Sequence, residues 1–64
     1  MYKIFCKGLN VWNQDAYETL NDAEFCVKCD VMMFNMRRTK KQNGSCRWSK
    51  KDFEIVEIQN VAVM

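Results

Sequence analysis

The sequence predicts an α+β fold, with a small sheet of two to four strands packed against one long central helix. Three observations predict it. Residues 2–7 alternate in the manner of a strand that buries one face, and residues 53–58 are rich in the apolar and β-branched residues of a second strand. Between them, residues 20–40 hold no glycine and no proline, so a long helix meets no breaker.

The first half of the chain is expected to contain one clear strand, at residues 2–7. Residues 8–17 are expected to be turn-like or irregular, with only Val11 and Trp12 in a short second strand. The helix should begin after Thr19, because Thr19 and Asp22 match a capping box. In that motif the threonine oxygen accepts a backbone N–H and the Asp22 side chain bonds back to the Thr19 N–H.

The helix is expected to end near Lys40, with a basic last turn that suits the helix dipole. Asn43-Gly44 would then stop it through a left-handed glycine. The alternative is a tight basic hairpin, which is less favourable because it would place Lys40 opposite Arg47. The final strand is expected at residues 53–58, with an extension at 61–63.

The central helix has two apolar faces when its residues are placed at 100° intervals. The first face consists of Leu20, Ala23, Val27, Val31 and Phe34. The second, roughly opposite, consists of Phe25, Cys26, Cys29, Met32, Met33 and Met36.

A helix on an open sheet needs only one apolar face, and a chain of 64 residues has little left to cover the other. The methionine-rich face is the better candidate for contact with another chain, because thioethers adapt to varied surfaces. The sequence therefore predicts a homo-oligomer, most simply a dimer. The alternative is that the terminal segments fold over the helix and bury both faces. The predicted interface residues are Phe25, Cys29, Met32, Met33 and Met36.

Length and composition predict one small domain at residues 1–64. No signal-peptide pattern and no membrane-length apolar run are present, so we expect a cytoplasmic protein with no membrane contact. Its four cysteines should then be reduced or bound to metal.

The cysteines have one familiar reading. Cys26 and Cys29 form a C-x2-C pair, which Cys6 and Cys46 could complete as a four-thiolate zinc site. Against this, the pair lies inside the predicted helix and the other two cysteines are isolated. Burial as small hydrophobic residues is therefore favoured, no cofactor is expected, and zinc remains the alternative.

The charges are strongly asymmetric along the chain. Seven of the ten basic residues fall within residues 37–51, a stretch with no acid, whereas the remaining 49 residues carry eight acids and three lysines. Such a segment is typical of a surface that docks something acidic. The predicted docking residues are Arg37, Arg38, Lys40, Lys41, Arg47, Trp48, Lys50 and Lys51. In this hypothesis Trp48 is an anchor.

The target is expected to be the acidic surface of a larger protein, with nucleic acid as the alternative and a merely solvated basic loop as the third reading. No histidine and no glycine-rich phosphate loop are present, so no enzyme is expected. A tiny domain with no targeting signal and no catalytic set is similar in style to accessory proteins of bacteriophages and mobile elements. The apolar face and the basic segment predict a small non-enzymatic protein that binds and modulates a larger macromolecule.

Overall fold

The computed structural model of the protein describes residues 1–58. A three-stranded antiparallel sheet packs against one helix, which confirms the predicted fold class. The strands are β1 (Tyr2–Cys6), β2 (Val11–Tyr17) and β3 (Phe53–Glu57), and the helix is α1 (Leu20–Arg37). The sheet order is β2-β1-β3, so β1 is central. The predicted extension at residues 61–63 lies outside the described residues.

The prediction for residues 8–17 is correct for the turn at 8–10 and for Val11 and Trp12 in a second strand, but it is wrong for residues 13–17, because β2 is a full strand of seven residues. Its pairing with β1 is irregular: Lys3 lies opposite Ala16, but Phe5 lies opposite Trp12. Three residues of β2, 13–15, therefore face a single residue of β1. The polar residues of this bulge obscure the alternation that identifies a strand. An edge strand tolerates a bulge because only one of its sides is paired.

The start of α1 is close to the prediction. The Thr19 side-chain oxygen accepts the Asp22 backbone N–H at 3.1 Å, which is the first of the two expected capping bonds. This bond satisfies one of the N–H groups that every helix leaves free at its first turn.

The end of α1 differs from the prediction. Arg38, not Gly44, takes the left-handed conformation that ends the helix, with φ of 53°. The Arg38 N–H donates to Asn35 O and the Thr39 N–H donates to Phe34 O, the two bonds of a Schellman motif. Gly44 is also left-handed, with φ of 87°, but it lies in a separate turn, in which the Lys41 N–H donates to the Ser45 carbonyl and the Gly44 N–H donates to the Lys41 carbonyl.

The core lies between the first apolar face of α1 and the inner face of the sheet. Ala23 and Val27 are buried against Ile4, Cys6 and Phe53. This arrangement shows which of the two apolar helix faces is internal. Of the first face, only Leu20, at the start of the helix, is substantially exposed. Within residues 1–58, no helix has the length and apolar character needed to cross a membrane.

Candidate interaction surfaces

The second apolar face of α1 points away from the sheet. Phe25 is 68% exposed and Met36 is 79% exposed, and Met32 and Met33 are also exposed. Cys29 lies among them and is exposed as a free thiol. We call these five residues the outer apolar face. A row of large apolar side chains is exposed here, which is typical of a surface that contacts another molecule.

Cys26 was grouped with this face by the helical projection, but it is half-buried at the edge of the core. The five predicted interface residues are thus brought together on one side of α1.

Six of the seven cations of the basic segment are exposed. Among residues 1–58, none of these six side chains forms an ion pair or a hydrogen bond. They are Arg37, Arg38, Lys40, Arg47, Lys50 and Lys51.

Lys41 does not belong to this docking surface, contrary to the prediction. Its side chain is only 12% exposed, and its ammonium group pairs with Asp52 at 2.9 Å. The same ammonium lies 5.6 Å from the centroid of the Trp48 ring, within the range of a cation–π contact. Lys41 therefore has a structural role, and its charge is neutralised within the chain.

The prediction that Trp48 anchors a partner is also wrong, because the side chain is 5% exposed. Its ring lies 4.6 Å from the Phe34 ring and 5.6 Å from the Phe53 ring, between the helix and the sheet. A Cβ atom on Gly8 would come within 2.7 Å of this ring, so glycine allows the backbone to approach it closely. The cations around Trp48 in the sequence suggest an exposed side chain. The indole is buried instead, because so small a domain has few other large apolar side chains with which to form a core.

Asn35 ties the basic segment to the helix. Its side-chain oxygen accepts the Trp48 N–H at 2.7 Å, and its side-chain amide donates to the Trp48 carbonyl at 3.0 Å. The indole N–H donates to the carbonyl of Thr39 at 2.7 Å. These bonds fix Arg47, the neighbour of Trp48, beside the last turns of α1. Lys50 lies near the start of α1, where it lines a groove together with Leu20 and Val27. The cations therefore form an extended surface and not a single cluster.

We expect the Lys41–Asp52 pair to stabilise the fold at neutral pH. Partial burial would raise the pKa of Asp52, but the hydrogen bonds from Lys41 and from the Ser49 N–H hold this pKa below its ordinary value. A carboxyl group with a lowered pKa stabilises the folded state when the pH is above the pKa that the group has in the unfolded chain, about 3.9. This stability is lost as the pH falls through the pKa that the group has in the folded protein. Asp52→Asn should therefore lower the free energy of unfolding by about 1 kcal/mol at pH 7.

The measurement is urea unfolding of wild type and variant from pH 7 down to pH 2, and the difference should disappear at the acidic end. Asp30→Asn is the control of opposite sign. Burial raises the pKa of Asp30, so its charge opposes folding at neutral pH and the substitution should stabilise. A difference between wild type and Asp52→Asn that stays constant with pH would contradict the ion pair.

The four cysteines do not converge. Cys6 is buried in the core, Cys29 is exposed on the outer apolar face, and Cys26 and Cys46 are half-buried. In the part of the chain that the structure describes, no three Cys, His, Asp or Glu residues are placed to hold a metal ion. The four-thiolate zinc alternative therefore has no geometric support.

Cys26 takes part in a polar cluster at the edge of the core. Its sulfur accepts a hydrogen bond from the Tyr17 hydroxyl at 2.9 Å and lies 3.8 Å from a carboxylate oxygen of Asp30. Burial raises the pKa of the Cys26 thiol, and the hydrogen bond to Cys26 raises the pKa of Tyr17. The cluster lines an open groove of about 370 Å³ between α1 and β2. Because the thiolate is the reactive form, this environment does not activate Cys26 as a nucleophile.

One surface feature was missed by the sequence reasoning. Phe5 and Trp12 lie opposite each other on β1 and β2, with ring centroids 5.0 Å apart in an edge-to-face arrangement. Phe5 alternates with the buried Ile4 and Cys6, so this pair lies on the sheet face away from α1. Trp12 is 52% exposed. Only the strand pairing brings the two rings together. The sequence does not predict that pairing, because the bulge in β2 shifts its register against β1.

Comparison of the chain with protein-family models, with curated proteins and with solved structures finds no match.

Proposed function

We propose that this chain is a small non-enzymatic interaction protein of the cytoplasm, which binds and modulates a larger macromolecule through an acidic surface on that target. The observation that carries the proposal is the set of six exposed cations in residues 37–51 that have no partner among the described residues. Accessory proteins of bacteriophages and mobile elements are the style of protein that this role resembles.

The arrangement of the cations supports docking better than it supports a merely solvated loop. A flexible loop would lose conformational entropy when it binds. Here the segment is already held, because Asn35 bonds both backbone groups of Trp48 and the indole is buried. Arginine side chains carried on a backbone held in this way can form two-point contacts with carboxylates.

The outer apolar face supports a second contact, made between copies of the chain. Its exposed phenylalanine and methionine side chains lie on the opposite side of α1 from the core, so a second molecule can cover them without disturbing the fold. The proposal is thus a dimer that presents two basic segments to its target.

The proposal is tested by removing charge from the segment without touching the core. The variant is Lys40→Gln, Arg47→Gln and Lys51→Gln, at three exposed positions. Its matched control is Lys3→Gln, Lys7→Gln and Lys28→Gln, which removes three positive charges outside the segment. Each protein is used as bait in nuclease-treated lysate, and each captured protein is purified and titrated against the three baits.

We expect a captured acidic protein to bind wild type and the control with similar affinity and to bind the segment variant at least tenfold more weakly. The affinity should also fall with added salt, because the contact is electrostatic. Equal weakening in the segment variant and the control would show that net charge alone mediates binding. That result would overturn the proposal.

Nucleic acid is the second candidate target, and one observation favours it. The Phe5–Trp12 pair offers an exposed tryptophan ring beside a half-buried phenylalanine ring on the sheet face away from α1, where bases could stack. This candidate predicts binding to single-stranded RNA or DNA with a log–log salt slope of about −4, for four or five phosphate contacts. Fluorescence anisotropy with labelled oligonucleotides measures it, and undetectable or salt-insensitive binding to both polymers would eliminate it.

A further inference from the structure

The outer apolar face has the spacing of a coiled-coil seam. Phe25, Cys29, Met32 and Met36 follow one another at intervals of four, three and four residues, which is the alternation of the two apolar positions of a heptad. All four are exposed, and α1 is 18 residues long, or about 27 Å. A face with this spacing fits another helix with the same spacing.

The two ends of this seam carry opposite charges. Asp22 lies in the first turn of α1 and Arg37 in the last, and both are exposed. At 100° per residue they fall on the same flank of the seam, the flank that also holds Met33. One copy of the helix is therefore acidic where a reversed copy would be basic.

We propose that the outer apolar face binds the same face of a second copy of this chain, with the two helices antiparallel. This inference rests on the contact between copies in the proposed function and adds its orientation and register. The apolar layers would be Phe25 against Met36 of the second copy, and Cys29 against Met32 of the second copy. Asp22 then lies beside Arg37 of the second copy, at both ends of the interface.

A parallel arrangement is disfavoured by the same residues. It would place both Asp22 side chains at one end of the interface and both Arg37 side chains at the other, and like charges gathered at the same end destabilise an interface. It would also align the two helix dipoles side by side with the same sign at each end. The antiparallel arrangement removes both penalties and satisfies a two-fold axis through the middle of the seam.

Disulfide cross-linking distinguishes the two orientations. Phe25→Cys and Met36→Cys are made as separate proteins in a Cys29→Ser, Cys46→Ser background, which is itself the control for the remaining cysteines. Both positions are more than two-thirds exposed, so neither change should disturb the core. In the antiparallel dimer, two copies of position 36 are about 16 Å apart along the helix axis, too far for a disulfide.

The expected result under mild oxidation is a covalent dimer from the mixture of Phe25→Cys and Met36→Cys, and little or none from either protein alone. Cross-linking of each protein alone would show a parallel dimer. That outcome overturns this inference but leaves the contact between copies intact. Native mass spectrometry of the wild type completes the test. A monomer would overturn both the inference and the contact between copies.

A charge exchange tests the ends of the interface without cysteines. Arg37→Asp alone should weaken the wild-type dimer about fivefold at low salt. Adding Asp22→Lys in the same chain should restore most of the affinity, since the opposite charges again meet in the antiparallel dimer. A dimer that is unaffected by Arg37→Asp, or that is weakened further by the second change, would contradict this register.

Discussion

Trp48→Ala should unfold most of the protein at room temperature. Truncating a buried aromatic side chain costs about 3–5 kcal/mol, from the lost burial and from the cavity that remains. A domain of this length has a total stability of roughly 3–10 kcal/mol at 0.05–0.15 kcal/mol per residue. The cost is therefore a large part of the free energy of unfolding, and at the lower end of this range it exceeds the whole of it.

Several contacts are lost together when Trp48 is truncated. The ring is 5% exposed between Phe34 and Phe53, and the indole N–H satisfies the Thr39 carbonyl. The Lys41 ammonium also loses the aromatic face that it lies against.

The measurement is thermal unfolding followed by far-ultraviolet circular dichroism, with Trp12→Ala as the matched control. Trp12 is 52% exposed on the open sheet face, so its truncation should cost about 1 kcal/mol and leave a cooperative transition. Similar melting curves for the two variants would show that the burial of Trp48 is not what distinguishes them. They would also reopen the hypothesis that Trp48 faces a partner.

The fold class could be predicted because its signals are local. The alternation of residues 2–7 and the Thr19 cap each depend on a few neighbouring residues. The helix after Thr19 can be recognised from the length of the stretch that lacks glycine and proline. β2 was missed for a physical reason: residues 13–15 bulge away from regular pairing, so their side chains do not follow the period of two. The end of α1 at Arg38 was missed because a left-handed arginine leaves no signal in the sequence.

The outer apolar face could also be predicted, because its signal is local. Helical periodicity alone places Phe25 and Met36 opposite Ala23 and Val27, and the structure has the first pair exposed and the second pair buried. The states of Trp48 and Lys41 depend instead on contacts between distant residues. Asn35 and Trp48 are 13 residues apart, and no local pattern indicates that they bond.

Asn35→Ala should destabilise the fold by about 2 kcal/mol although its side chain lies on the surface of the helix. The substitution removes both hydrogen bonds to the Trp48 backbone and leaves that N–H and carbonyl without their protein partner. Alanine is the better helix former by roughly half a kcal/mol, so the net loss understates the value of the two bonds. Urea unfolding at pH 7 measures the change.

Asn21→Ala is the matched control for this experiment, since it makes the same substitution at another exposed position of α1. It should be neutral or slightly stabilising, because alanine has the higher helix propensity and no comparable clamp is removed. If Asn35→Ala behaves like Asn21→Ala, the bonds to Trp48 contribute no net stability and the basic segment is not held by the helix. If the expected difference is found, Asn35→Ala should also weaken target binding in molecules that remain folded. Arg47 would then have to be ordered during binding, and that entropy would be lost from the affinity.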